Sequence, residues 1–156
     1  MIDAPVSGSI LMVGEGKLSI MVGGQRATFD RAKPLLDDIG QKVTYIGENG
    51  LALSMKIATN VSIAVQMLAL AESVVLAEKA GVARETALEV LTNSAIASPL
   101  VQYKGACVLK MPEQPMFSAN MMLKDVTHAL DLAREEQVTL PTGAVVSELL
   151  STAREQ

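Results

Sequence analysis

The glycines of this chain are crowded at one end. Gly8, Gly14, Gly16, Gly23, Gly24, Gly40, Gly47 and Gly50 are eight of its 11. Beyond residue 50 the chain is rich in Ala, Leu and Glu. Glycine punctuates turns, so the first stretch reads as short strands and turns and the second as helices. In the first, residues 17–22 read as a strand ended by Gly23-Gly24, and residues 42–46 as the next, ended by Gly47. Residues 25–39 between them read as a helix whose apolar stripe is Phe29, Ala32, Leu35, Leu36 and Ile39, with Gly40 as its stop. Pro34 is expected to bend or split that helix. The opening residues 2–6 form a third strand candidate, followed by the turn Ser7-Gly8-Ser9. Strand, helix, strand suggests α/β packing, but so few elements bury little. Residues 1–48 therefore read as the edge of something larger, and residues 49–156 as a helical domain.

Five helices are expected in that second part. The first spans the apolar run from Leu51 to Lys79, is closed by Gly81, and is apolar on nearly all sides, which marks a central, buried helix. A second covers residues 83–91. Ser98-Pro99 is a cap and first-position pair for a third, running to about Leu109. After a loop at residues 111–115, Ser118 caps a fourth through Glu136, and Leu140-Pro141 starts a fifth.

Composition removes several function classes. The chain is 49% hydrophobic and 19% charged, which argues against disorder. A net charge of -4 without a basic run argues against nucleic acid as a partner. The mean hydropathy of +0.32 is high for a small domain and suggests a subunit interface, hence a dimer. Cys107 is the single cysteine, so no internal disulfide can form. It fits a reducing, cytoplasmic compartment and reads as a small core residue. With His128 as the single histidine, read as a surface residue, no metal site is expected. No segment reads as a signal peptide. Lys56, Thr59, Asn60, Gln66 and Glu72 interrupt the apolar run and argue against a membrane span.

Lys56 is the residue most open to a chemical role. A lysine inside an apolar helix is costly to bury as a cation. Asn60 lies four residues on, over the same helix face. Cation and amide together make a carbonyl-polarising pair; the alternative is that Lys56 snorkels to solvent near the helix start.

Four separated motifs together resemble the β-hydroxyacid dehydrogenase family, the enzymes related to 3-hydroxyisobutyrate dehydrogenase and tartronate semialdehyde reductase. Asp3-Ala-Pro-Val-Ser7-Gly8 is similar to the family's substrate-binding turn, with Ser9 where a second glycine is usual. Lys56-x-x-Thr59-Asn60 resembles its catalytic helix, with Thr59 in place of the first of two asparagines. Phe117 with Met122-Leu-Lys124-Asp125 resembles the element that approaches the nicotinamide. Residues 16–24 with Lys33-Pro-Leu-Leu36 resemble the late strand and helix of the first domain.

The resemblance implies a mainly α fold, a 6-phosphogluconate dehydrogenase C-terminal-like helical domain after a short remnant of a Rossmann domain. It implies NAD or NADP as cofactor and a small hydroxy acid or semialdehyde as substrate. Lys56 and Asn60 would be catalytic, and Ser7, Gly8, Ser9 and Asn60 would bind substrate. Phe117 and Lys124 would touch the cofactor. The family's glycine-rich pyrophosphate turn has no counterpart here, because Gly14-Glu15-Gly16 runs on to Ser19 without a third glycine. The expectation is a truncated chain, inactive as a dehydrogenase by itself. The alternative is a stand-alone helical module that dimerises or binds a small acid without catalysis.

Overall fold

The computed structural model describes residues 1–113 and 117–154. Four short strands come first: β1 (Ile2–Asp3), β2 (Val6–Ser7), β3 (Ser19–Gly24) and β4 (Lys42–Gly47). A short helix α1 (Ile10–Gly14), not foreseen in the sequence, follows β2, and α2 (Arg26–Asp37) connects β3 to β4. Five helices follow: α3 (Leu51–Lys79), α4 (Arg84–Thr92), α5 (Pro99–Leu109), α6 (Ala119–Glu135) and α7 (Pro141–Arg154). The chain is thus mainly α, with a small α/β piece in front. Part of the loop expected at residues 111–115 lies outside the described residues.

β3 is the centre of the sheet. β4 lies parallel to it, joined through α2. β1 and β2 lie antiparallel along its other edge, pairing Ile2 with Gly24, Asp3 with Gly23, Val6 with Ile20 and Ser7 with Ser19. These pairs share one register. The Met21 amide donates to the Pro5 carbonyl at 3.0 Å between the two pieces, so residues 2–7 behave as one strand.

Side chains of a strand alternate faces. Ile20 and Val22 pack with Phe29 of α2, flanked by Ile2, Ala4 and Leu36. The even positions of β1 to β3 therefore face α2, together with Val43 and Tyr45 of β4. The odd positions Asp3, Ser7, Met21 and Gly23 face the other way.

Pro34 does not split α2, which runs unbroken across it. A proline removes one backbone donor, and only about one turn follows. Ser98 and Ser118 cap α5 and α6 as expected, accepting from the Val101 and Met121 amides. α3 is central, packed against β3, β4 and α4 to α7. Ala64 of α3 meets Val126 of α6 and Val146 of α7, while Leu70 and Val74 meet Leu88 of α4 and Val101 of α5. It is not buried all round: its buried residues are Ala52, Asn60, Ala64, Leu70 and Val74. Leu51, Leu53, Met55, Val75 and Leu76 are exposed.

Candidate functional site

Lys56 and Asn60 sit one turn apart on the part of α3 that faces α6. Asn60 is the one buried polar residue among those described. Its Nδ2 donates to Asp125 Oδ2 on α6 at 2.7 Å. The Lys124 ammonium lies 3.1 Å from the other oxygen of the same carboxylate. Lys56 is half-buried. Burial holds its ammonium below the ordinary lysine value, and the Asp125 charge restores only part of that. Asn60, Asp125 and the two lysines thus form one polar cluster between α3 and α6.

Asp125 is the hub of this cluster. It closes the motif Met122-Leu-Lys124-Asp125, in which the sequence alone assigns it no role. The signal was present in the pattern. Met122, Val126, Ala129 and Ala133 form the inward stripe of α6, and Asp125 falls on that stripe between Met122 and Val126. A carboxylate on the apolar side of an amphipathic helix requires a partner. Thr59 points its hydroxyl back into its own helix, donating to the Met55 carbonyl at 2.9 Å.

The turn at Ser7–Ser9 lies at the end of the other antiparallel edge. Ser7 pairs with Ser19. Gly8 has φ +146°, a backbone conformation that strains any side chain, and a Cβ there would also displace Leu18 Cδ2, 2.6 Å away. Ser9 precedes α1 without a side-chain capping bond.

The connection between this strand and α3 runs through Asp3. Its Oδ1 accepts from Asn49 Nδ2 at 3.1 Å and from the Gly50 amide at 3.0 Å, and its Oδ2 accepts from the Leu53 amide at 3.3 Å. Burial pushes this carboxyl upward. The bonds from Gly50, Asn49, its own amide and Leu53 outweigh that, so it ends below the ordinary Asp value. The odd face of the strand, which carries Ser7 as well as Asp3, is therefore the face turned toward the start of α3. Ser7 lies four residues, roughly 13 Å, along the strand from Asp3. Lys56 lies three residues beyond Leu53.

Among the described residues no hydrogen bond or ion pair joins Ser7, Gly8 or Ser9 to Lys56 or Asn60. Phe117 is 40% exposed just before α6 and outside the described core clusters. An open depression of about 590 Å³ runs along the outer face of α6, lined by Asn120, Leu123, Lys124, Thr127, His128 and Asp131. It includes Lys124 but neither Lys56 nor Asn60, so that depression and the α3–α6 cluster meet at Lys124.

Chemically, the cluster offers a cation of depressed basicity beside a fixed amide and a carboxylate. Such a cation can polarise a carbonyl or steady a developing alkoxide.

Comparison with known proteins agrees with the motifs. Residues 50–156 match the family model described as the NAD-binding domain of NADP-dependent 3-hydroxyisobutyrate dehydrogenase, and residues 1–47 match the NAD binding domain of 6-phosphogluconate dehydrogenase. A 2-hydroxy-3-oxopropionate reductase of Escherichia coli is 34% identical over 97% of this chain and 52% of its own length. Glyoxylate/succinic semialdehyde reductase 1 of Arabidopsis thaliana is 33% identical over 98% of this chain and 53% of its own. The chain spans about half the length of the curated relatives it matches. The crystal structure of a 3-hydroxyisobutyrate dehydrogenase from Salmonella typhimurium superposes with a TM-score of 0.91 at 28% identity, covering 99% of this chain and 55% of that one.

Proposed function

The chain belongs to the β-hydroxyacid dehydrogenase family, whose cofactor is NAD(P), and we propose that it supplies the substrate-handling side of such an enzyme. The reaction is reversible hydride transfer between the nicotinamide and a small hydroxy acid or semialdehyde. The observation that carries this reading is the cluster of Lys56, Asn60 and Asp125 between α3 and α6.

In this reading Ser7, Gly8 and Ser9 receive the substrate carboxylate with backbone amides and hydroxyls. Lys56 faces the carbonyl oxygen and donates a proton as it becomes an alkoxide, or takes that proton back in the oxidative direction. Asn60, held by Asp125, orients the substrate oxygen beside it. Support for grouping the turn with α3 comes from the strand register, which turns Ser7 to the same side of the sheet as Asp3.

The residues present fit one end of the cofactor. Lys124, exposed beside Asp125, and Phe117, exposed just before α6, would suit the nicotinamide end. When bound, the cofactor supplies or accepts the hydride. The strand-to-helix turns, Gly8-Ser9 before α1 and Gly23-Gly24 before α2, lack the three spaced glycines that bring backbone amides to a pyrophosphate. The 156-residue chain by itself therefore binds NAD or NADP weakly and does not turn over, since unanchored reactants lose near-attack geometry. The exposed apolar residues of α3 favour assembly as a homodimer.

Calorimetric titration of the chain with 3-hydroxyisobutyrate, NAD and NADP tests the reading, together with an absorbance assay on succinic semialdehyde. Weak hydroxy-acid binding that Lys56→Ala abolishes is the expected result. Hydroxy-acid binding indifferent to Lys56→Ala would refute the substrate role. Micromolar cofactor affinity would refute the dependence on a pyrophosphate turn.

A further inference from the structure

We infer that Asp3 is a positioning residue, a carboxylate strut that fixes the start of α3 against the substrate strand and so sets Lys56 relative to the Ser7 turn. This rests on the reading of Lys56 and Ser7 as substrate-handling residues.

The geometry begins with the helix terminus. The first backbone amides of a helix have no partner within it. They are commonly met by a side chain at the capping position itself. Here that position is Gly50, at φ 95°, which has no side chain to offer, and no acidic residue lies in the first turn. The missing acceptor arrives from the sheet. Asp3 takes the Gly50 amide on one oxygen and the Leu53 amide, the third of the helix, on the other. The carboxylate also places a negative charge at the positive end of the helix dipole. A cap is therefore supplied across 47 residues of sequence.

The opposite strand is shaped to admit it. Gly23 pairs with Asp3. A Cβ at Gly23 would stand 2.6 Å from Asp3 Oδ1 and 2.8 Å from the Glu48 carbonyl. Only a glycine there leaves the carboxylate its place. Strand, carboxylate and helix start are thus packed without slack.

The consequence is a short mechanical path. Ser7 is four residues from Asp3 on one stiff strand and on the same face. Lys56 is one helical turn beyond Leu53. Among the described residues, Asp3 provides the side-chain hydrogen bonds that tie this strand to α3. If those bonds go, the first turn of α3 frays, and Lys56 gains water and moves relative to the turn.

The substitutions act differently on this path. Gly23→Ala keeps the charge and displaces the carboxylate. Asp3→Asn keeps the shape, but its amide has a single oxygen, so either Gly50 or Leu53 loses its acceptor. Leu88→Ala, in the core cluster where α4 and α5 meet the far half of α3, serves as a general destabiliser.

The experiment follows the Lys56 side chain by NMR against pH and titrates each variant with 3-hydroxyisobutyrate. Circular dichroism checks folding, and Asp3→Asn carries the test if Gly23→Ala does not fold. Expected in both site variants are an upward move of the Lys56 midpoint and an affinity loss of about tenfold, with neither change in Leu88→Ala. Site variants that match Leu88→Ala in Lys56 midpoint and in affinity overturn the inference. Should the unsubstituted chain bind no 3-hydroxyisobutyrate, the substrate reading fails, while the Lys56 midpoint still decides the strut.

Discussion

The Asn60 amide and the Asp125 carboxylate meet at 2.7 Å across the packed faces of α3 and α6. Asn60 is 7% exposed, so its amide has little access to water and depends on this bond. It also fixes the carboxylate that partly restores the charge preference of Lys56. One bond thus joins helix packing to the chemistry of the cluster.

Removing the carboxylate should therefore show twice. Asp125→Ala leaves the Asn60 amide buried without an acceptor, a loss of about 1–3 kcal/mol in urea unfolding. Asp125→Asn keeps an acceptor and removes the charge, so its stability loss should be smaller. In both variants the Lys56 midpoint should fall further, because burial then acts unopposed. A midpoint that holds or rises would show that Asp125 does not act on Lys56.

Lys56 should also leave a signature in stability against pH. Its folded value lies below its unfolded one. At pH below both values, folded and unfolded chains are equally protonated, and the folded chain bears the desolvation cost. Between the two values the unfolded chain holds a proton that the folded chain has released. Stability should therefore rise with pH across that window, just below the ordinary lysine range. Lys56→Met carries no charge and should lack the slope. Urea midpoints of both proteins, measured from neutral pH to pH 10, give the comparison. Parallel curves would mean that Lys56 is solvated as an ordinary surface lysine.

Asp3 gives a slope of the same sign in the acid range, there as a stabilising contribution that protonation removes. Its folded value is depressed. Its contribution is complete above the ordinary Asp value and is lost as pH falls through the depressed one. Asp3→Ala removes an N-cap acceptor, worth about 1 kcal/mol, or a Tm drop of about 2–4 °C for a chain of this size. Melting at neutral pH should resolve that difference, and it should shrink in acid. A difference constant down to pH 2 would mean that the side chain acts by its shape alone.

The sequence revealed what neighbours in sequence determine. Ser98 and Ser118 cap helices because a hydroxyl just before a helix reaches amides only three residues on, although the Ser98 hydroxyl also donates to Gln66 of α3 at 2.7 Å, which no local pattern shows. The glycine boundary near residue 50 separates strands from helices for the same reason. Lys56 and Asn60 were visible because their spacing is that of one helical turn. Long-range pairings were not visible. Asp3 reaches amides 47 and 50 residues away, and no local pattern encodes that. Asp125 became the hub of the cluster through the packing of α6 on α3. Pro34 failed as a break because the helix ends soon after it. Apolarity on every side of α3 did not distinguish a fully buried helix from one that leaves apolar faces uncovered.

Those uncovered faces carry the last prediction. α3 is long and apolar enough, by length and composition alone, to cross a bilayer. It packs against β3, β4 and four other helices, as the spine of a helical domain does. Its second half still presents Val75 at 53% and Leu76 at 73% exposure. An exposed apolar pair of this kind suits a subunit contact. A second copy would cover it symmetrically, since most soluble oligomers are closed and homomeric. Light scattering at micromolar concentration should give twice the chain mass of 16.5 kDa. Leu76→Glu should shift the mass to that of one chain while leaving the circular dichroism spectrum intact, because a charge on an exposed position disturbs an interface and not a core. A monomer mass for the unsubstituted chain would refute the dimer. An unchanged dimer in Leu76→Glu would move the interface away from this end of α3.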